Sequence, residues 1–327
     1  MRVFSSFAEL KDAGLKNVFV TIGNFDGVHL GHRSILKELA KRAKEVQGQT
    51  LLIVFEPQPL EFFTKKIARL FTLSDKIDVL EKGHLVDNLL VLNFDQDLAQ
   101  TPADDFVAQL CTSVQLHTIF IGDDFHFGKD RSGNIEQLRS LAPKYGYQVD
   151  VISTITNENK QRVSSTLIRS LLAANQLKTA NELLGQPFSF TGVVEKGRQL
   201  ARTLDAPTAN IQINRVLSPL HGTYACLVKV EGMAKIYAGV CNVGFKPTVN
   251  QDQNNWLVEV HLLDFTGDLY GKELKVTPVE FIRPEQKFSS VDELKKQIFA
   301  DIELARSLKL TQRLLTGNLF ANSSITS

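Results

Sequence analysis

The first half of the chain alternates short apolar runs with stretches of helical spacing. Val18 to Ile22 reads as a strand, and Ile35, Leu36, Leu39, Ala40 and Ala43 then recur at the period of an amphipathic helix. Leu51 to Phe55, Leu89 to Phe94, Thr118 to Ile121 and Tyr147 to Ser153 read as four more strands. Ahead of Thr118, the residue Thr101 is placed as a helix cap, with Pro102 at the first helical position and Asp104 three residues after the cap. Strands separated by helices predict a parallel sheet with helices on both faces. Such sheets bind ligands outside the carboxyl ends of their strands.

The rhythm changes near residue 185. Leu171 to Leu184 predicts a helix, broken by Gly185-Gln186-Pro187. Phe188 to Glu195, Tyr224 to Val230, Tyr237 to Asn242, Trp256 to Leu263 and Leu274 to Ile282 follow as strands with turn residues between them. That pattern predicts a small antiparallel barrel. One amphipathic helix runs from Val291 to Leu308, and residues 309–327 are polar and aperiodic, expected to be a flexible tail. The fold class is thus α/β with a second, all-β domain, divided 1–184, 185–308 and 309–327.

Composition narrows the function. The 37 Lys+Arg nearly cancel the 36 Asp+Glu, so no global field favours nucleic acid or an anionic membrane, and any phosphate affinity must be local. Cys111, Cys226 and Cys241 form no Cys-x-x-Cys pair, and their odd number argues against a disulfide framework. The N-terminal MRVFSSFAELKDAG has no long apolar core or small-residue cleavage site, and the run Leu51 to Phe55 is too short to span a bilayer. The expected location is the cytoplasm, and no protein partner is marked.

Gly23-Asn24-Phe25-Asp26-Gly27-Val28-His29-Leu30-Gly31-His32 follows a strand and precedes a helix. Glycines let backbone approach a phosphate, and a helix start offers free N–H groups. His29 and His32 can face one anion and donate hydrogen bonds to phosphoryl oxygens. Two histidines three apart also suit zinc, but no cysteine or third histidine lies close by.

This string resembles the FMN adenylyltransferase branch of the HxGH nucleotidyltransferases, found in bacterial bifunctional riboflavin kinase/FAD synthetases. Phe55-Glu56-Pro57-Gln58-Pro59, Gly122-Asp123-Asp124-Phe125-His126-Phe127-Gly128 and Val163-Ser164-Ser165-Thr166-Leu167-Ile168-Arg169 resemble further segments of that family, in order. The resemblance implies a Rossmann-like nucleotidyltransferase domain. In it Asn24, His29, His32 and Arg169 are catalytic. Gly23, Phe25, Asp26, Gly27, Gly31, Ser164, Ser165, Thr166, Asp124 and Phe125 hold nucleotide, and Phe62 and Phe127 hold flavin. Each has an ordinary alternative: Ser-Ser-Thr is also a helix cap, and phenylalanines are also core. Gln58 stands where many relatives carry histidine, and a glutamine hydrogen-bonds without carrying charge.

Pro207-Thr208-Ala209-Asn210 resembles the Pro-Thr-Ala-Asn motif of riboflavin kinases. Gly222-Thr223-Tyr224-Ala225, Asn242 to Thr248, Val258 to Phe265 and Arg283-Pro284-Glu285 follow in the family's order. Thr208 and Asn210, on one side of an extended chain, suit Mg²⁺ and its phosphates. Glu259 is the implied general base, with Arg202 and Arg283 as nucleotide contacts. Pattern alone favours Glu259 as the polar face of a strand whose other face is Val258, Val260 and Leu262, and the order of the family's segments reverses that preference. Relatives read Gly-Arg-x-x-Gly-Phe before the motif, whereas this chain has Ala201, Asp205 and Ala206 in place of the two glycines and the phenylalanine. The implied substrates are riboflavin, FMN and ATP, with FAD as product. The alternatives are an adenylyltransferase with a silent barrel, and a flavin-binding protein without activity.

Overall fold

The computed structural model describes residues 1–64, 67–152, 161–195, 207–213, 217–246 and 255–315. The chain divides into two units, Met1–Ile67 with Phe71–Leu167, and Ala68–Leu70 with Ile168–Ser327.

The first unit runs β1 (Arg2–Phe4), α1 (Phe7–Asp12), β2 (Val18–Ile22), α2 (Leu30–Glu45), β3 (Gln49–Glu56), α3 (Pro59–Thr64), α4 (Leu73–Lys82), β4 (Asn88–Asn93), α5 (Gln96–Gln100), α6 (Ala103–Ser113), β5 (Leu116–Gly122), α7 (Ile135–Tyr145) and β6 (Gln148–Ile152). The strands pair in parallel in the order β1-β4-β3-β2-β5-β6. All of β2 is buried, as a parallel strand covered on both faces must be. Val18, Val20 and Ile22 pack with Leu10, Phe106, Leu110 and Leu138. On the opposite face the rings of Phe19 and Phe120 approach to 6.2 Å. From β2 the chain builds the sheet first toward β3 and β4, then on the other side through β5 and β6. The carboxyl ends of β2 and β5 therefore flank a topological switch point.

Thr101 does not cap α6. It closes α5, a helix the periodicity did not predict, and its Oγ1 donates to the Asp97 carbonyl at 2.9 Å. Pro102 takes the capping position instead, without a side-chain hydrogen bond.

The second unit contains most of α8 (Ser165–Ala173), then α9 (Leu177–Leu184). The single helix expected over 171–184 is thus two, because Asn175 adopts φ 60° between them. Gly185, at φ 69°, donates its N–H to Glu182 and ends α9 where the Gly-Gln-Pro break predicts. Then β7 (Phe190–Glu195), β8 (Ala209–Gln212), β9 (Gly222–Val230), β10 (Ile236–Lys246), β11 (Asn255–Leu262) and β12 (Glu273–Arg283) close an antiparallel barrel in the order β10-β11-β8-β7-β12-β9.

Ile211, Tyr224, Cys226, Val228, Cys241, Val243, Val258, Val260 and Val276 are fully buried and alternate with outward residues. The outward residues Ala225, Leu227, Ala238 and Val240 pack beneath α10 (Val291–Ser307) and α11 (Leu310–Leu315) through Ile302, Ala305 and Leu310. Helix α11 occupies the start of the expected flexible tail, with Leu310 buried, while 316–327 lie outside the described residues. Strand β12 carries two register shifts against β9, between Pro278 and Glu280 and between Phe281 and Arg283.

Candidate active sites

The loop after β2 is tightly wound. The Gly23 N–H stays on the Ile53 carbonyl at 3.1 Å. Phe25, Gly27 and Val28 then take φ of 45°, 84° and 42°. Positive φ at a β-branched valine is costly and persists only where the surroundings enforce it. The Val28 N–H bonds the Phe25 carbonyl at 3.2 Å, and Arg33 Nε donates to the Val28 carbonyl at 3.0 Å.

His29 caps α2. Its Nδ1 accepts the His32 N–H at 3.3 Å, which places the ring's own proton on Nε2. The two imidazoles stack at 3.6 Å, and Phe25 stacks on His32 at 4.5 Å. Burial, aided by the neighbouring His29, Lys76 and Arg162, holds the His32 pKa well below the usual histidine range. His32 is therefore neutral at pH 7. Its Nδ1 is buried without a hydrogen-bond partner among the described residues. Gly31 is required by close approach: a Cβ there meets His29 Cε1 at 3.1 Å and the Val163 carbonyl at 3.3 Å.

Other elements converge on this loop. The Asp26 carboxylate accepts the Phe71 N–H at 3.1 Å, and its carbonyl accepts Ser165 Oγ at 2.9 Å. Ser164 Oγ accepts the Leu167 N–H, so the helix-cap reading of the Ser-Ser-Thr run holds too. Thr166 is exposed. Arg169, one turn after Ser165, donates from Nε to the Ala68 carbonyl at 2.9 Å. Lys76 on α4 is 1% exposed, and its Nζ donates to the Asn24 carbonyl at 2.7 Å. Sequence reasoning missed this lysine. Gln58 is 2% exposed, and its Nε2 is a second buried polar atom without a partner among the described residues. Buried unpartnered polar atoms at the ligand-binding edge of a sheet are where a polar ligand is expected.

Asp124 and Phe125 lie just beyond β5, which ends at Gly122. Asp124 holds the Arg162 guanidinium at 2.9 and 2.8 Å, and that hydrogen bonding lowers its pKa. Phe125 and Phe127 stack at 5.4 Å, and Phe62 meets Phe63 at 5.3 Å and Phe94 at 5.5 Å. Phe62, Phe125 and Phe127 are each half-buried, so all keep a ring surface that a ligand can reach.

On the barrel, cross-strand register assembles a polar row. Glu195 faces Asn210, Asn210 faces Glu259, Glu259 faces Asn242, Asn242 faces Thr223, and Thr223 faces Arg283. Directly opposed residues share a face, and here it is the outer one, because Val258 and Val260 point into the core. Thr208 precedes β8 on the side of Asn210. His261 Nδ1 lies 3.0 Å from the Pro207 carbonyl, which anchors the start of that motif. Thr223 Oγ1 donates to Asn242 Oδ1 at 3.2 Å. Arg283 forms a forked ion pair with buried Asp301 of α10, at 3.0 and 2.9 Å. Arg202 and the departures Ala201, Asp205 and Ala206 lie outside the described residues.

The family model for FAD synthetase matches residues 11–167, and that for riboflavin kinase matches residues 184–309. A bifunctional riboflavin kinase/FMN adenylyltransferase of Haemophilus influenzae is 42% identical over 296 residues, covering 90% of this chain and 94% of that protein. The protein of the same description from Escherichia coli K12 is 39% identical over 310 residues, covering 94% and 97%. Among solved structures, a macrolide-efflux protein from Streptococcus pneumoniae superposes with a TM-score of 0.76 at 26% identity, covering 94% of this chain and 99% of that one. No helix among the described residues is long and apolar enough to cross a membrane.

Proposed function

The chain belongs to the family of bifunctional riboflavin kinase/FMN adenylyltransferases, and from that premise we propose how its residues divide the two reactions. The protein phosphorylates riboflavin to FMN with ATP, releasing ADP, and adenylylates FMN to FAD with ATP, releasing pyrophosphate. A silent barrel is not favoured, since the riboflavin kinase match spans the whole of it.

In our reading residues 1–184 carry adenylylation. An FMN phosphate oxygen attacks the α-phosphorus of ATP, and pyrophosphate leaves. His29 donates from Nε2 to the phosphates, neutral His32 and Asn24 complete the cradle, and the start of α2 adds its N–H groups. Ser165 holds the loop through the Asp26 carbonyl, and Arg169 follows one turn later. Phe62, Phe125 and Phe127 offer ring faces to the flavin.

Residues 185–308 carry phosphorylation. Glu259 takes the proton of the terminal ribityl hydroxyl as its oxygen attacks the γ-phosphorus. The Thr208 hydroxyl and Asn210 amide oxygen are hard donors that fit Mg²⁺. A cation held there would supply positive charge to offset that of the ATP phosphates. The observation that carries the assignment is the register setting Asn210 directly opposite Glu259, which brings the donor and the base to one spot on the barrel surface. The three cysteines are all unpaired, which supports a reducing, cytoplasmic setting.

The test separates the flavin products by chromatography. Glu259→Gln should slow riboflavin phosphorylation by about a hundredfold or more and leave FMN adenylylation intact, while His29→Ala should do the reverse. Loss of both activities in either variant would sink the division of labour.

A further inference from the structure

Thr223 and Asn242 of the barrel row have no role in this division. Thr223 is 1% exposed, and a hydroxyl so deeply buried must be hydrogen-bonded. It donates to Asn242 Oδ1 at 3.2 Å. An asparagine whose oxygen is engaged on one side turns its amino group to the other. Asn242 faces Thr223 across one strand pair and Glu259 across the next. Opposed residues lie about 5 Å apart at Cβ, close enough for an Asn–Glu hydrogen bond to form, whereas among the described residues the side-chain bond of Asn242 is the one with Thr223. A second carboxylate crowds the same place. After the Arg283–Asp301 ion pair, Glu285 folds over Gly244, where any Cβ would run into its carboxylate and would lie 3.4 Å from Asn242 Nδ2.

We propose that Thr223 and Asn242 are positioning residues for riboflavin phosphorylation. The buried hydroxyl fixes the amide, and the amide holds the Glu259 carboxylate toward the ribityl hydroxyl and apart from Glu285. The inference rests on Glu259 being the base.

The experiment uses the full chain with steady-state kinetics on riboflavin and MgATP. Asn242→Ala should lower kcat about ten- to hundredfold, as expected for a misplaced base, with KM for both substrates within about twofold. Thr223→Val should cost about fivefold, the worth of one neutral hydrogen bond, and Thr223→Ser should restore most of it. In a Glu259→Gln background, Asn242→Ala should add no further loss, since the two act as one unit. Wild-type kcat in Asn242→Ala beside an inactive Glu259→Gln overturns the inference alone. So does a multiplicative loss in the double variant, a rise in KM at unchanged kcat, or Thr223→Ser behaving like Thr223→Val. Wild-type phosphorylation by Glu259→Gln overturns the assignment of the base itself.

Discussion

Replacing Lys76 with methionine keeps a long apolar stem in α4 and removes a charge and its N–H donors. The side chain is 1% exposed and its Nζ sits 2.7 Å from the Asn24 carbonyl. A hydrogen bond from a charged donor contributes about 1.5–3 kcal/mol. The loop it holds contains two non-glycine residues at positive φ, Phe25 and Val28. Each such residue costs about 1–3 kcal/mol, so the lysine offsets about the strain of one of the two. Without it the loop is expected to relax and carry Asn24 and His29 away from their working positions. A loss of about 1.5–3 kcal/mol in transition-state binding is a fall of about ten- to hundredfold in kcat/KM for FMN adenylylation. The assay follows FMN and MgATP to FAD by chromatography, with riboflavin phosphorylation measured on the same preparation. An adenylylation rate within about twofold of wild type refutes the reasoning. So does an equal fall in the kinase rate, which would mean a general loss of fold.

Two further outcomes are expected. Gly31→Ala puts a methyl group 3.1 Å from His29 Cε1, so FMN adenylylation should fall while riboflavin phosphorylation holds; unchanged FAD formation in steady-state kinetics would count against the cradle geometry. Because the folded pKa of His32 is depressed, the unfolded chain binds a proton below about pH 6.5 that the folded chain excludes, so stability is full above that value and falls as pH drops through it, by up to about 1.4 kcal/mol per pH unit. Denaturant midpoints at pH 7.5 and 5.5 should diverge more in wild type than in His32→Gln, and equal slopes would show that His32 is not the group responsible.

The strands of the parallel sheet were legible because full burial demands unbroken apolar runs, and Val18–Ile22 is such a run from end to end. Helix α5 was not legible. Five residues are too few to display a period, and Thr101 carries the same hydroxyl whether it opens one helix or closes another. Lys76 was hidden for a different reason. A lysine on an amphipathic helix reads as solvent-facing, and only the return of the loop after β2 turns it inward. The histidines and glycines of the first site were contiguous in sequence and so were found together. On the barrel, Thr208 and Asn210 share a motif, but Thr223 and Asn242 come into line with them only through three strand pairings, and register is not written in any single strand.

The two register shifts in β12 bear on how this strand can change in length. At each, one residue has no partner on β9: Val279 at the first and Ile282 at the second. Both side chains pack with the apolar cluster beneath α10. Deleting either one removes a bulge and leaves every remaining pair, including Arg283 with Thr223, on its present side of the sheet. Deleting a paired neighbour such as Thr277 instead turns the following side chains over until the next bulge absorbs the error. Strand β12 is thus elastic in length at two positions and rigid at the rest, and a shortened variant is expected to lose its grip on the covering helix before it loses the row of polar residues on the barrel.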